Sequence, residues 1–245
     1  MAVKSPRQGV RRWIRRGRRA LLLFLPLTLL ALWLTLEHRP GWYRPVPLDP
    51  AAIQRARGEA TNQVDVVGDR LVARKPFELV LTDRQVTEWL TALPDIWPEA
   101  GQAIPPEISE PAVRFADGGI LIGAHVANKG WRVIVSVRLV VDIADDGSTV
   151  GLRLAGVYGG SLPFPRPLLE RMVDRKLRQE SGSQAAAAPE PRAVIQSADD
   201  IRSAKQLFDG IRTPNRFVWP NGRRPFRIEG ITIRDGELRL RIRPL

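Results

Sequence analysis

Hydrophobic residues follow three different rhythms along this chain. Residues 20–36 form an apolar run with no charge in it. Val86, Trp89, Leu90 and Leu93 recur at i, i+3, i+4 and i+7, the spacing of one helix face. From Trp131 onward the rhythm becomes alternation. Trp131, Val133, Val135, Val137, Leu139 and Val141 fall on one side of an extended segment. Arg132, Ser136, Arg138 and Asp142 fall on the other, with Ile134 and Val140 interspersed. After Asp145-Asp146-Gly147, Val150, Leu152, Leu154 and Tyr158 alternate with Gly151, Arg153 and Val157. The pattern predicts two long antiparallel strands sharing one strongly apolar face, which a helix, a second sheet or a ligand has to cover.

The remaining elements follow from local signals. Asp49 as N-cap and Pro50 in the first turn start a helix expected to run to about Gly58. Residues Phe77–Thr82 read as a strand that enters a helix through Thr82 and Gln85, a capping-box spacing, and Pro94 ends that helix. Residues 112–115 and 120–126 flank the turn signal Asp117-Gly118-Gly119. A helix is expected from residues 163–167 onward, with Leu168, Leu169, Met172, Val173 and Leu177 on one face. Residues 180–193 are low in complexity and predict a mobile loop. Ser197 caps a short helix carrying Ile201, Ala204, Leu207 and Phe208, and residues 227–234 and 237–243 make a hairpin around Asp235-Gly236. The expected class is α+β, with a long curved antiparallel sheet packed on a few helices.

The flanks of the apolar run give it a direction. Lys4, Arg7, Arg11, Arg12, Arg15, Arg16, Arg18 and Arg19 precede it. As a helix, residues 20–36 would span about 25 Å, slightly less than the ~30 Å hydrocarbon core, and Arg18 and Arg19 can snorkel to make up the difference. Pro26 implies a mild kink, and Trp13 on one side with Trp33, Trp42 and Tyr43 on the other suit the two interfacial belts. The leading cations keep the N-terminus cytoplasmic. Bulky Trp33, Leu34 and Leu36 leave no small-x-small cleavage site, so an uncleaved anchor is expected rather than a signal peptide. The layout is then a basic cytoplasmic segment at 1–19, a transmembrane helix at 20–36, a Pro-rich stalk at 37–48 and an extracytoplasmic domain at 49–245.

Charge and composition narrow the function. Of the net charge of +12, the basic segment supplies eight, so the rest of the 245-residue chain is only mildly cationic. That segment suits topology and anionic headgroups, and no nucleic-acid-binding signature accompanies it. Cysteine is absent, which excludes disulfides, thiolate metal sites and cysteine nucleophiles. About 200 residues beyond the anchor are enough to bury a core without such staples.

No constellation in the sequence carries catalytic, metal or cofactor chemistry. His38 reads as a polar membrane flank and His125 as an outward strand position; neither has clustered ligand partners. Ser161 follows Gly159-Gly160 without the pattern of a nucleophile elbow and reads as a turn. Asp145 and Asp146 lack calcium-loop spacing, and Glu107 and Glu110 lie in a Pro-rich loop. One surface pattern stands out: Arg234, Arg239, Arg241 and Arg243 alternate with apolar residues, and Arg132, Arg138 and Arg153 extend the charged set. Such a row serves either as a solvated edge that discourages aggregation or as a contact for anionic headgroups or an acidic partner.

An N-terminal anchor comes first. Phe77-Glu-Leu-Val-Leu-Thr-Asp-Arg-Gln-Val-Thr-Glu-Trp-Leu90 and then paired long strands follow it. The sheet exits through Gly159-Gly-Ser-Leu-Pro-Phe-Pro-Arg-Pro-Leu-Leu169. This order resembles the YpmS-like family of membrane-anchored bacterial proteins over roughly residues 70–180. More distantly it is similar to the tubular lipid-binding (BPI-like) architecture, in which a curved sheet wraps a helix and leaves an apolar groove. The resemblance implies a single-pass protein of the bacterial inner membrane with an extracytoplasmic domain. The expectation is a non-enzymatic protein, without cofactor, binding a lipid or other amphipathic ligand. Trp89, Leu90, Val133, Val135, Val137, Leu152, Leu154 and Leu169 are the expected groove residues. The alternative is an envelope scaffold that docks a protein partner. A hydrolase of envelope polymers would need convergent carboxylates or a serine–histidine contact.

Overall fold

A computed structural model describes residues 24–31, 33–102, 104–128, 130–168, 171, 206, 208–219 and 224–245. The basic segment, the start of the apolar run, Leu169 and the 180–193 loop lie outside the described residues, as do Met172, Val173, Leu177, Ser197, Ile201, Ala204 and Leu207. Residues 24–31 and 33–37 are helical (α1) and cover the later part of the apolar run together with Glu37. Among the described residues no helix is long and apolar enough to cross a membrane.

Asp49 caps α2 (Pro50–Val72) by accepting from the Ala52 amide at 2.6 Å, with Pro50 at its start. The helix runs through Gly58, where the sequence placed its end. Ala56, Ala60, Val67 and Leu71 form a buried stripe along it, and this packing carries the helix past a poor helix former. Next come β1 (Phe77–Thr82) and α3 (Asp83–Thr91), joined as expected by Thr82 accepting from the Gln85 amide at 3.2 Å. Two short helices follow, α4 (Leu93–Ile96) and α5 (Pro98–Gln102).

The fold is mixed helix and strand, with two antiparallel sheets. The larger has the order β2 (Ile108–Ala116), β3 (Gly119–Asn128), β4 (Trp131–Ile143), β5 (Thr149–Gly159), β6 (Leu162–Pro163), and β7 (Ile211–Pro214) pairs with β5. The smaller has the order β1, β10 (Glu237–Pro244), β9 (Pro225–Arg234), β8 (Phe217–Val218). Turns at Asp117-Gly118, Asp145–Gly147 and Asp235-Gly236 lie where the sequence put them. Positive φ values at Asp117, Gly118, Gly147 and Gly236 show why Asp and Gly stand there.

Among the described residues two separate buried clusters form. In the first, Val67 and Leu71 of α2 pack on Phe77 and Ile242, with Leu79, Leu240, Trp219 and Phe226 around them. In the second, Tyr43 packs on Ala112 and Ile134 beside Trp42. The expected stalk therefore does not stand off from the domain: Pro40 and Tyr43 are buried, and the Tyr43 amide closes a turn onto the Pro40 carbonyl at 3.0 Å.

Side chains and turn amides join the sheets. The Gly236 amide donates to the Phe115 carbonyl at 2.8 Å, and Arg114 bridges Asp83 (2.8 Å) and Asp235. Buried Asn215 accepts from the Ile228 amide at 2.8 Å and donates to the Ile228 carbonyl at 2.7 Å and the Gly147 carbonyl at 2.9 Å. It thereby satisfies backbone on the side of β9 that the two-residue β8 is too short to reach, two positions beyond the Phe217–Phe226 pair. The edge of β2 is also closed: the buried Thr87 hydroxyl of α3 accepts from the Val113 amide at 2.9 Å.

Candidate functional site

The larger sheet sorts its residues by pleat. Val133, Val135, Val137, Leu139 and Val141 share a face, and register places Leu154 opposite Leu139 and Leu152 opposite Val141. Five of the expected groove residues are thus brought together, all half-buried. Two details differ from the sequence pattern. A bulge beside Ala155 flips the end of β5, so Val157 pairs with Val137 on the apolar face and Tyr158 turns to the other. The most buried residues of β4 are Ile134 and Ser136, on the opposite face. There Ala112, Gly123 and Ser136 are small enough to admit the rings of Trp42 and Tyr43; a Cβ at Gly123 would sit 2.8 Å from Trp42 and 3.2 Å from Tyr43.

The other expected positions separate from this set. Trp89 and Leu90 lie on α3, which packs along β2, and the Trp89 indole N–H is buried without a partner among the described residues. Arg234, Arg239, Arg241 and Arg243 do share the outer face of the smaller sheet, away from α2. They are not on an edge strand, because β1 covers β10. Carboxylates interleave with them: Arg239 meets Glu237 at 2.8 Å and Glu78 at 3.5 Å, and Arg243 meets Glu229 at 2.7 Å. Glu237 holds the Arg239 guanidinium above its ordinary pKa. Arg132, Arg138 and Arg153 belong to the larger sheet and do not extend this row.

An apolar cavity of about 260 Å³ lies where α1 meets the larger sheet, lined by Trp33, Leu36, Glu37, Gly130, Trp131, Arg132 and Val133. Of the expected groove residues that are described, only Val133 lines it. Trp33 and Trp131 form one wall, ring centroids 4.7 Å apart at a 58° tilt. The turn Gly159-Gly160-Ser161 holds the adjoining end of α1. The Ser161 amide donates to the Thr35 carbonyl at 3.2 Å, and the Gly160 amide to the Ile134 carbonyl at 2.7 Å. Gly160 has φ +57°, and a Cβ there would lie 2.5 Å from both the Thr35 and Leu36 carbonyl oxygens. This Gly-Gly pair is the signal in the sequence that a backbone approaches here; which backbone was not legible. With Glu37 and Arg132 among apolar walls, the cavity suits a molecule that is greasy at one end and polar at the other.

A second cluster locks the linker to the sheet. The Tyr43 hydroxyl donates to the Glu110 carbonyl, and the Arg39 guanidinium lies 5.5 Å from the Tyr43 ring centre. His125 is half-buried against Tyr43, ring centroids 5.7 Å apart, rather than outward, and its Nε2 is 3.8 Å from the Glu110 carboxylate. Burial first, then Glu110, push the Tyr43 phenol up from 10.0 to about 12, against the pull of Arg39 and of the His125 backbone. The folded state therefore holds this proton more tightly than the unfolded chain, and stability falls as pH rises from 10 toward about 12. Tyr43→Phe is expected to abolish that fall and to remove the late step from a phenolate-absorbance titration. A profile unchanged by the substitution would show that Tyr43 titrates as a solvent-exposed phenol.

A polar cavity of about 530 Å³ lies between the β4–β5 turn and β9, where Asp142, Asp145, Asp146 and Glu229 face Arg227 and Asn215. Among the described residues no group of three metal-binding side chains converges. No family model, curated protein or solved structure matches this chain.

Proposed function

We propose that this is a single-pass, membrane-anchored extracytoplasmic protein of the bacterial inner membrane. In this proposal residues 20–36 span the bilayer with the N-terminus cytoplasmic. The domain holds a lipid or other amphipathic molecule and catalyses no reaction, in keeping with the resemblance to the YpmS-like proteins. One observation supports it above the others: the apolar cavity walled by Trp33, Leu36, Trp131 and Val133 lies where the apolar run meets the apolar face of the larger sheet. An acyl chain entering there would continue along Val135 and Val137 toward Leu154 and Leu152.

A photoactivatable phospholipid tests it. With the full chain in vesicles, crosslinks are expected on residues 33–37 and, along the acyl path, on Val135 and Val137. Val133→Asp puts a carboxylate into an apolar wall, at a cost of several kcal/mol unless paired, and should cut crosslinking at Val135 and Val137 about tenfold. Labelling confined to α1, with none at Val135 or Val137, would overturn the proposal.

A further inference from the structure

Trp131 is an unusual residue for a strand end: it is 56 % exposed, although its ring packs at a tilt against Trp33, itself 41 % exposed. Exposed Arg132 follows it. The two tryptophans tie the tip of the β3–β4 hairpin to a fixed level on α1. Trp33 stands three residues before Leu36, the end of the apolar run, which is about 4.5 Å along a helix axis. The Trp131 ring lies within 4.7 Å of it. The Ser161–Thr35 hydrogen bond holds the β5–β6 turn at the same end of α1.

We infer that the β3–β4 tip, Gly130 to Arg132, is a second membrane contact, with Trp131 seated in the headgroup layer of the leaflet on the domain's side and Arg132 on lipid phosphates. Tryptophan is favoured at that depth because its ring is mostly apolar and its N–H can stay hydrated. A cation beside it adds about 1 kcal/mol toward an anionic surface. The end of the larger sheet then stands on the bilayer instead of hanging from a stalk. From the function proposed above, only the anchoring of residues 20–36 is assumed; an occupied cavity is not.

The cysteine-free chain permits single fluorescent labels. Full-length protein carrying Leu29→Cys, Arg132→Cys or Val218→Cys, each bearing an environment-sensitive dye, is reconstituted into phosphatidylcholine–phosphatidylglycerol vesicles with nitroxide lipids. Leu29 lies in α1, and Val218 is an exposed position on β8. A shallow nitroxide sits at the headgroup–acyl boundary, the depth of interfacial groups, so quenching at 132 should exceed that at 218 about threefold. Adding Trp131→Ser should reduce that ratio toward one. Quenching at 29 by a deep nitroxide, with 132 quenched no more than 218, would overturn the membrane contact while leaving the anchor standing. No quenching at 29 would overturn both. Lipid crosslinking at Val135 and Val137, which lie on the apolar face beyond the tip, reads cavity occupancy separately from either.

Discussion

Gly160→Val is expected to release α1 from the larger sheet. The new Cβ would meet three backbone atoms, the Thr35 and Leu36 carbonyl oxygens at 2.5 Å and the Leu36 carbonyl carbon at 2.9 Å, and none of these can swing aside as a side-chain tip could. The positive φ of +57° adds strain of about 1–2 kcal/mol for any L side chain. With the collision the total reaches roughly 3 kcal/mol, about a hundredfold in the undocked population. The chain escapes the collision by undocking, so the readout is local. Hydrogen exchange at the Ser161 amide, which donates to the Thr35 carbonyl, should accelerate by about that factor. Gly118→Val is the matched control, since Gly118 has φ +68° but nothing within 4 Å. It carries the strain without the collision and should leave Ser161 protected. Equal exchange in both variants would mean that the close approach of α1 does not govern docking.

Tyr43→Ala should cost the most stability of any single truncation in the linker. Tyr43 is 1 % exposed and is the largest fully buried side chain among the described residues. It packs on Ala112 and Ile134, and on the open site above Gly123, so its removal leaves a cavity that a strand-held surface is poorly able to close. Deleting a buried aromatic typically costs about 3–5 kcal/mol. For a chain of this size that is roughly 6–20 °C in Tm. Tyr43→Phe loses only the hydrogen bond to the Glu110 carbonyl and should fall by about 1–2 kcal/mol. Thermal unfolding followed by near-ultraviolet circular dichroism separates the two. A Tm for Tyr43→Ala within 2 °C of the parent would contradict a structural role for the linker.

What the sequence made legible was local. Asp117-Gly118, Asp146-Gly147 and Asp235-Gly236 demand tight turns whatever surrounds them, and the Thr82–Gln85 cap needs only its own backbone. Everything decided by distant chain was harder to read. Gly58 looks like a helix end until the buried stripe Ala56, Ala60, Val67 and Leu71 is seen, with Val67 and Leu71 packed on the smaller sheet and the helix also meeting α3 and α4. Alternation in β4 pointed to the valine face, yet the rings of Trp42 and Tyr43 bury Ile134 and Ser136 instead. The clue was present as three small residues, Ala112, Gly123 and Ser136, but they align only once the register is known. A single bulged residue, Ala155, was enough to exchange the faces of Val157 and Tyr158. For the candidate site, Val133 followed from periodicity. Trp131 stood on the same periodic face, but Trp33 and Leu36 did not follow from it, because each has an ordinary explanation in the apolar run and only packing brings them to the strand.

The pairing of β1 with β10 has a bearing on biogenesis. Phe77 sits opposite Ile242 and Thr82 opposite Glu237, so the earliest described strand waits for the latest one. During synthesis β1 and the apolar stripe of α2 emerge about 160 residues before their partner, an interval of roughly 10–30 s at ordinary elongation rates. Until then the smaller sheet has no centre. A nascent or prematurely terminated chain presents an unpaired strand and a bare apolar helix, the features that chaperones hold and proteases remove. The seam between the two strands thus acts as a completeness check: only a chain made through β10 can hide them.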